Sequence, residues 1–573
     1  MESGNTVIDG EQYLRNPEAA MDPVTLEVIR HKLEGIANEM EYALLRSSFS
    51  AIVKEGLDTS ASLFTPTGET LAQALAIPIH LATLIPVVQH MLIEFPIETM
   101  CEGDIYIMND PYLGGTHLPD IALVAPVFGK SGRPIALAAT MSHHQDVGGM
   151  SPGSIPTHAT EIWQEGIRIP PLKFYDAGQL NETLEKMLRL NVRIPDTLMG
   201  DLNAQVAGCK TGIRRLKELE KTYGIETLEC AFQSLLAYSE RMTRQALNTI
   251  PHGSYSNTGW LDNDGIALDK RVKIQVAVTV GEGRFHVDFT GSSSQLRGPF
   301  NCVPSSSQAA AYFAVRALTD PNIPTNGGCF RAVTLTLPKG SVVNPESPAT
   351  VCSRTATIKR ITACILGAFK NVLPDRVGAD SASTLLVLAF GGRTDEGKTY
   401  VVGETIAGGG GASQFGDGVD VLETDATNCM NYPAEAIEMA APLRVHRMSL
   451  RQGSGGCGKF RGGLGLIKEF ELLSNMATLT HRGEGHYYSA AGAFGGLSGA
   501  MARGRIVRHD GTVEEIPSKT VTELHRGDRL IVETPGGGGW GDPAERSQEL
   551  MRQDIADGKC AEQASATASS QPK

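Results

Sequence analysis

The sequence has no surplus of positive charge. Its 51 Lys and Arg are outnumbered by 64 Asp and Glu, which gives a net charge of −13 at pH 7. Binding of nucleic acid depends on clustered Lys and Arg that neutralise phosphates, and binding to an anionic membrane surface depends on similar clusters. We therefore expect no nucleic acid and no membrane among the partners of this protein.

The cysteines lack the spacing of a metal or redox motif. The ten Cys are scattered along the chain, and no two of them have C-x-x-C spacing. This excludes a zinc knuckle and a thioredoxin-type motif. Scattered cysteines in a long chain are typical of a reducing compartment, where they pack as small apolar residues.

Long uninterrupted hydrophobic runs are also missing. The most apolar stretch, at 74–92, contains Pro78, His80, Pro86 and His90. A membrane-spanning helix needs about 20 consecutive apolar residues. The first twenty residues contain no apolar core of a secretory signal. These features predict a cytoplasmic protein.

The length and the order of sequence patterns predict an α+β fold with more than one domain. A chain of 573 residues is too long for one ordinary hydrophobic core. Three parts are expected: a mixed α/β part that carries a metal site, a larger Gly-rich and β-rich part with interspersed helices, and a low-complexity tail. Their predicted bounds are 1–250, 251–545 and 546–573.

The N-terminal part alternates helical and strand patterns. Asp22-Pro23 begins a helix whose apolar residues recur at helical spacing up to Leu44. A second helical region runs from about Glu182 to Tyr223, is punctuated at Pro195 and stops at Gly224. Strands are predicted between these regions, at 104–108, 121–128 and 135–141.

The C-terminal part alternates apolar and polar residues between glycine-rich turns, as half-buried strands do. Helical patterns interrupt it at 305–319 and 356–373. Glycine is dense at 408–412, 453–465 and 536–542. Such glycines indicate positive-φ turns or close approach of one backbone to another.

Two familiar motifs match only in part. The stretch 453–460, GSGGCGKF, resembles a phosphate-binding loop, but Phe460 stands where that loop needs Ser or Thr to hold Mg²⁺. The stretch 149–153, GMSPG, matches the nucleophile elbow of serine hydrolases. Pro152 follows the serine, however, and it has no N–H to donate to an oxyanion. Both motifs are weak evidence for the activities that they usually mark.

The stretch 109–126, NDPYLGGTHLPDIALVAP, places His117 and Asp120 on a turn before a predicted strand. The next predicted strand ends in SHHQDVGG at 142–149. If the two strands are neighbours, His143, His144 and Asp146 can come close to His117 and Asp120. Two imidazoles and one carboxylate are a common ligand set for a catalytic divalent ion, so a metal site is predicted. The alternative is that these polar residues only satisfy turns.

Other polar residues lie in apolar or Gly-rich surroundings, namely Asp58, His80, Glu161 and Glu165. Each of them is a candidate for contact with substrate or with a metal ligand. Any one of them could instead be a structural residue.

The combination of NDPYLGGTHLPDIALVAPVF with SHHQDVGG resembles the hydantoinase B family, which includes the C-terminal half of oxoprolinases and the alpha subunits of acetone carboxylases. Nearly the whole chain takes part in the likeness. DPVTLEVIRHKLEGIANEM, IPIHLATL, EGIRIPPLKF, RGPFNCV, NYPAEAIE, SGGCGKFRGGLG and TPGGGGWGDP look like further family blocks in the same order.

The resemblance implies one subunit of an ATP-dependent enzyme that opens a hydantoin or lactam ring. A hydantoinase A-type ATPase, with ATP and Mg, would phosphorylate the amide oxygen, and the complex is expected to be a heterotetramer. The B-type subunit would hold a divalent ion, zinc or manganese, and deliver metal-bound water to the activated carbon. In that reaction Asp146 or Asp58 would orient the attacking water or accept its proton. By motif position the ion falls on His117, Asp120 and His143, with His144 the alternative to His143.

Two other functions stay open. One is a subunit of an ATP-dependent ketone carboxylase, although such alpha subunits are usually longer than this chain. The other is a non-catalytic scaffold for the ATPase partner. The residues do not decide between a hydantoin, 5-oxoproline and a larger lactam as the substrate.

Overall fold

The computed structural model describes residues 21–560 and shows an α+β protein with four β-sheets. The predicted fold class is therefore confirmed. The predicted low-complexity tail at 546–573 lies partly outside the described residues. Its first part forms a helix at Gln548–Ala556, where the buried Asp554 pairs with Arg546 and Arg461.

The N-terminal part is built on a seven-stranded antiparallel sheet with the order β2-β1-β5-β4-β3-β6-β7. Its strands are β1 (Thr59–Phe64), β2 (Thr70–Gln73), β3 (Ile105–Met108), β4 (Asp120–Phe128), β5 (Pro134–His143), β6 (Leu172–Asp176) and β7 (Gln179–Leu180). The helices of this part are α1 (Pro23–Ser47), α2 (Ala51–Lys54), α3 (Pro78–Glu94), α4 (Glu182–Asn191), α5 (Pro195–Tyr223) and α6 (Ile225–Leu247).

This sheet is covered by helices on both faces. Successive residues of a strand point to opposite faces. In β4, Ile121 and Leu123 pack in one cluster with residues of α5, whereas Ala122 and Val124 pack in another with residues of α3. Both faces of the central strands are therefore buried, and each strand end can present a side chain to either side.

Local sequence explains most of these helices. Asp22 caps α1 by accepting from the Thr25 N–H. Helix α5 ends at Gly224, whose φ of 79° suits glycine. Helix α3 was not predicted, because prolines interrupt its apolar run. Pro78 lies in the first turn, which tolerates proline, and Pro86 lies inside. Packing between the sheet and α7 (Pro304–Leu318) explains why α3 is apolar on more than one face.

The C-terminal part contains three further sheets. The first has the order β11-β10-β9-β8, the second β13-β12-β16-β19 and the third β14-β15-β20-β17-β18. The strands are β8 (Gly253–Leu261), β9 (Val272–Gly281), β10 (Arg284–Asp288), β11 (Val333–Thr336), β12 (Leu385–Arg393), β13 (Thr399–Ala407), β14 (Leu443–Leu450), β15 (Leu466–Leu472), β16 (Met476–Arg482), β17 (Arg503–Val507), β18 (Val513–Glu515), β19 (Lys519–His525) and β20 (Arg529–Glu533). The remaining helices are α8 (Arg354–Ala368), α9 (Ala434–Ala440) and α10 (Gln548–Ala556).

The first and third of these sheets bury one face, whereas β12 and β13 of the second sheet are buried on both faces. The first packs against α7 and α8 in a single core cluster. The second and third share another cluster, in which Phe390 of β12 lies against Phe470 of β15 with ring centroids 5.4 Å apart. The apolar face of a sheet must be covered by another layer. Helices cover the first sheet, and the second and third sheets cover each other.

The three glycine-rich blocks pack against one another. The Gly537 N–H donates to the Gly463 carbonyl, and the Gly463 N–H donates to the Gly410 carbonyl. A Cβ on Gly409 or Gly537 would come within 2.0 Å of a facing carbonyl oxygen, so these positions exclude any side chain. The predicted close backbone approach is confirmed. The phosphate-loop-like stretch belongs to this layer, because the N–H groups of Gly456, Lys459 and Phe460 donate to the backbone of 537–541.

Helices that could span a membrane were sought in the described part of the chain, and none is long and apolar enough.

Candidate functional site

Two neighbouring strands bring Asp120 and His143 together. Asp120 begins β4 and His143 ends β5, and the antiparallel register pairs these two residues directly. His143 Nδ1 lies 3.0 Å from Asp120 Oδ1. The two strands are therefore neighbours, which was the condition for the predicted site, and their pairing creates its core.

The alternation of strand residues distinguishes His143 from His144. His143 has the same parity as Leu137 and Ala139, which pack on the α3 side of the sheet. His144 faces the other side, where its Nε2 lies 2.9 Å from Gln205 Oε1 of α5. Within the described chain it is thus His143 that joins His117 and Asp120.

His117 reaches the same point from the turn that precedes β4. Gly114 makes this turn possible, because its φ is 101° and a Cβ there would lie 2.7 Å from the Pro86 carbonyl. His117 Nδ1 lies 3.0 Å from the carbonyl oxygen of Cys352, and its Nε2 lies 2.8 Å from Asp120 Oδ1. The turn thus fixes both nitrogens of the ring.

Three ligand-type atoms converge at this point. His117 Nε2 and His143 Nδ1 are 3.1 Å apart, and each lies within 3.0 Å of Asp120 Oδ1. Only an N–H can face the Cys352 carbonyl, so His117 Nδ1 carries the proton and Nε2 of the neutral ring presents a lone pair. Burial and the nearby Arg354 lower the pKa of His117 to about 3, which keeps the ring neutral. A lone pair against a carboxylate is repulsive unless a cation lies between them, so the donor set fits a divalent ion.

Arg354 completes the surroundings of Asp120 and was not predicted. Its Nη2 lies 2.5 Å from Asp120 Oδ2, and Thr116 Oγ1 donates to the same oxygen. Burial alone would raise the pKa of Asp120, but the positive charge of Arg354 beside it holds that pKa well below its usual range. Asp120 is thus an anion that leaves one oxygen for the cluster.

His80 and Asp58 lie beside this cluster. His80 Nε2 is 3.4 Å from Asp120 Oδ2 and 3.6 Å from Asp58 Oδ1. His80 belongs to α3, and Asp58 immediately precedes β1, so five different segments supply the site when the start of α8 with Arg354 is included. The structure therefore brings both of these predicted residues to the cluster, as its polar neighbours.

Glu165 supports the cluster from behind and does not line the cavity beside it. Its Oε1 accepts the N–H groups of Val351 and Cys352, at 2.7 and 2.9 Å. The carbonyl of Cys352 in turn holds His117. Burial raises the pKa of Glu165 to about 8. The geometry gives Glu165 a positioning contact with the Cys352 peptide in place of the predicted contact with substrate.

Asp146 does not reach the cluster, although it follows His143 closely. Its Oδ1 accepts from the N–H groups of Gly148 and Arg193, and its Oδ2 accepts from Gly153 N–H and from the Arg193 guanidinium. Both oxygens are therefore occupied by the loop that they hold. This departs from the predicted catalytic contact, because the chain turns after β5 and directs the carboxylate into its own loop.

A cavity of about 50 Å³ opens beside the cluster, which is room for a few waters or a small polar group. Side chains from both parts of the chain line it. Ile79, His80, His117 and His143 form the wall from the seven-stranded sheet and α3, and Arg354, Glu404, Cys429 and Arg482 form part of the opposite wall. Glu404 is held by the fully buried Lys468, and burial raises its pKa to about 7.

The residues of the opposite wall carry no local signal in the sequence. Arg354 meets Asp120 across 234 residues, and Cys352 meets His117 across 235. Arg354 stands at the start of a helical pattern and Arg482 at the end of a strand pattern, where a charged residue is ordinary. Only the strand-turn composition around His117 and His143 marks a site in the sequence.

Comparison with known proteins decides the family. A family model described as hydantoinase B/oxoprolinase matches residues 22–543. This chain belongs to the hydantoinase B/oxoprolinase family. The resemblance inferred from its motifs is thereby confirmed.

Members of this family share both sequence and fold with the chain. The caprolactamase subunit beta of Pseudomonas jessenii is 32% identical over 550 residues, which cover 94% of each protein. The crystal structure of the ATP-dependent caprolactamase from Pseudomonas jessenii superimposes with a TM-score of 0.87 at 30% identity, over 95% of both chains. A nucleotide-free structure of acetone carboxylase gives a TM-score of 0.86 at 20% identity, over 96% of this chain and 79% of that one, which shows a common fold.

Proposed function

We propose that this chain is the metal-containing subunit of an ATP-dependent cyclic amide hydrolase. In this proposal a partner subunit phosphorylates the amide oxygen of a hydantoin or lactam, and this subunit supports the attack of water on the activated carbon. Family membership and the fold shared with an ATP-dependent caprolactamase support the activity. The convergence of His117, Asp120 and His143 supports the metal.

The fixed tautomer of His117 is the observation that carries the metal assignment. The Nδ1–H of His117 is directed at the Cys352 carbonyl, so the Nε2 of the same ring carries a lone pair. This lone pair faces Asp120 Oδ1, which also carries lone pairs. His117, Asp120 and His143 would hold the ion, and zinc and manganese both accept this donor set. A divalent ion bound there would lower the pKa of a coordinated water toward neutrality.

The surrounding residues divide the other tasks. Asp58 lines the cavity beside His80 and is the proposed acceptor of a proton from the attacking water. His80 is proposed to hold Asp58 and Asp120 in place. Glu165 is proposed to fix the Cys352 carbonyl, and Asp146 to hold the loop whose Gly153 lines the cavity.

The nucleotide is proposed to bind to the partner. In the glycine block that resembles a phosphate loop, the N–H groups of Gly456, Lys459 and Phe460 donate to the backbone of 537–541, so they are not free to bind a phosphate. A related caprolactamase protein is called subunit beta, which indicates an assembly of more than one kind of chain for that enzyme. We propose a hydantoinase A-type ATPase as the partner here, a heterotetramer as the complex and the cytoplasm as its location.

A ketone carboxylase is the second candidate function. The fold shared with acetone carboxylase favours it, since ketone activation can also begin by phosphorylation of an oxygen. The higher identity to caprolactamase, over nearly the full length of both proteins, favours the cyclic amide. The third candidate, a non-catalytic scaffold, leaves unexplained why the donor atoms of His117, Asp120 and His143 converge beside a cavity.

Co-expression with the A-type partner tests the proposal. The purified complex would be assayed for ATP turnover with hydantoins, 5-oxoproline and larger lactams, and with acetone plus bicarbonate. We expect ring opening and ATP cleavage with at least one cyclic amide and no carboxylation. Carboxylation of the ketone without ring opening of any amide would contradict the proposal.

A further inference from the structure

Arg482 is a buried cation without a carboxylate partner in the described part of the chain. Six Lys and Arg residues are buried there, and five of them form ion pairs: Arg354 with Asp120, Lys359 with Glu423, Arg461 with Asp554, Lys468 with Glu404, and Lys519 with Glu484. Arg482 is the exception. Its Nη1 donates 3.0 Å to the Cys352 carbonyl, and no acidic oxygen lies within ion-pair distance.

An unpaired buried guanidinium is costly. Removal of a charge from water costs several kcal/mol unless an opposite charge or hydrogen bonds replace the water. Burial lowers the pKa of Arg482 to about 10, which still leaves it charged at neutral pH. Each of the other buried cations in the described chain has a carboxylate partner. The unpaired charge of Arg482 therefore indicates a binding place for an anion, and none of the described residues supplies that anion.

The position of Arg482 shows where that anion would bind. Arg482 ends β16 and lines the cavity beside the candidate metal site. The Cys352 carbonyl accepts from Arg482 Nη1 and from His117 Nδ1 at the same time. The same carbonyl oxygen therefore bridges the guanidinium and His117, a proposed metal ligand. The remaining N–H donors of Arg482 are available to a group in the cavity.

We propose that Arg482 binds the phosphoryl group of the activated substrate. This inference rests on the proposed function, in which an O-phosphorylated amide reaches this cavity from the partner. A neutral lactam would not supply the missing negative charge, whereas a phosphoryl group brings two charges and oxygens spaced for the planar fork of arginine. Arg482 would thus select the phosphorylated form over the free amide.

The charges of the neighbouring residues favour a phosphoryl group over a counterion from the protein. Asp120 neutralises Arg354 and Lys468 neutralises Glu404, so these four residues leave no charge for Arg482. Asp58 and Glu484 attract Arg482 electrostatically, but neither carboxylate lies within ion-pair distance of it, and their contacts are His80 and Lys519 respectively. A divalent ion on His117, Asp120 and His143 would add further positive charge, and the need for an anion would increase.

Phosphate binding by the isolated chain tests this inference. The metal-loaded chain would be titrated with inorganic phosphate by calorimetry, with elemental analysis of each variant to show equal metal content. We expect Arg482→Met to weaken phosphate binding by about 10- to 100-fold, since a charge-assisted bidentate contact is lost. Arg482→Lys keeps the charge without the fork and should lie between the two. Arg393→Met, which removes an exposed charge from β12 of the same sheet, should bind as the wild type does.

The outcomes separate this inference from the proposed function. Two results would overturn the role of Arg482: equally strong phosphate binding by Arg482→Met and the wild type, or no binding by the wild type at millimolar phosphate. Ring opening by the complex could still be observed in either case, so the proposed function would stand. If the complex opens no cyclic amide but phosphate binding depends on Arg482, the anion site stands and the proposed function fails. If Arg482→Met does not fold, Arg482→Lys alone decides, and binding equal to wild type would count against the bidentate contact.

Discussion

Glu165→Ala should damage the candidate metal site without touching a proposed ligand. Glu165 Oε1 accepts two backbone N–H groups, those of Val351 and Cys352, and the Cys352 carbonyl fixes His117. Alanine leaves both N–H groups buried and unpaired, at about 1–3 kcal/mol each, so the free energy of unfolding should fall by about 2–6 kcal/mol. Once the Cys352 peptide is no longer held by Glu165, its carbonyl can move away from His117, and the ring of His117 can then rotate or change tautomer. Loss of such an outer partner typically weakens metal binding about 10- to 100-fold.

Two measurements check this prediction. Urea unfolding gives the loss of stability, and competition with a chromophoric chelator gives the affinity for zinc and manganese. Glu98→Ala is the matched control, because Glu98 is exposed and should change neither quantity. Unchanged metal affinity in folded Glu165→Ala would refute the reasoning that the Cys352 carbonyl holds His117 in its binding form.

Glu165→Gln separates the hydrogen bonds of this residue from its charge. The amide keeps an oxygen that can accept both N–H groups, so metal affinity should remain near that of the wild type. Because the folded pKa of Glu165 is raised to about 8, the folded state binds its proton more tightly than the unfolded state does. Wild-type stability should therefore fall as pH rises from about 4.5 to 8, whereas Glu165→Gln should lose less over that range. Parallel stability curves for the two proteins would contradict this assignment.

Three further predictions concern the cluster, the partner and the second wall of the cavity. His117→Ala and Asp120→Ala should each lose the divalent ion, measured by elemental analysis after gel filtration, and full occupancy in both would contradict the ligand set. The isolated chain should hydrolyse neither ATP nor a cyclic amide, and robust ATPase activity of the homogeneous protein would contradict the assignment of the nucleotide to the partner. Lys468→Met should lower the free energy of unfolding by about 3–5 kcal/mol, because it leaves Glu404 buried without its cation. Urea unfolding measures this loss, and a loss below about 1 kcal/mol would show that the pair is not buried as described.

The clustering of His117, Asp120 and His143 was predictable because its signal is local. Asp120 and His143 stand at the joined ends of two consecutive apolar strands, and His117 lies three residues before one of them. The choice between His143 and His144 could not be made from composition. It follows from strand parity, which depends on the residue at which β5 begins to pair with β4.

Residues whose role depends on tertiary contacts were not predictable in the same way. Arg354 and Arg482 come from segments more than 200 residues away from His117, and nothing around them marks a buried charge. Asp146 was expected at the cluster because it is close in sequence, but the turn after β5 directs it to Gly153 and Arg193. Helix α3 was missed because two prolines hide an apolar helix that packing stabilises.

The ratio of phosphate released to amide opened, measured for His143→Ala assembled with the wild-type partner, tests the central claim most directly. Association of the two subunits must first be shown by gel filtration, so that both complexes are compared intact. The account predicts that the variant still cleaves ATP when the amide is present but opens far less of it, so the ratio rises well above that of the wild type. A ratio equal to that of the wild type, with both rates intact, would mean that His143 takes no part in the hydrolytic step.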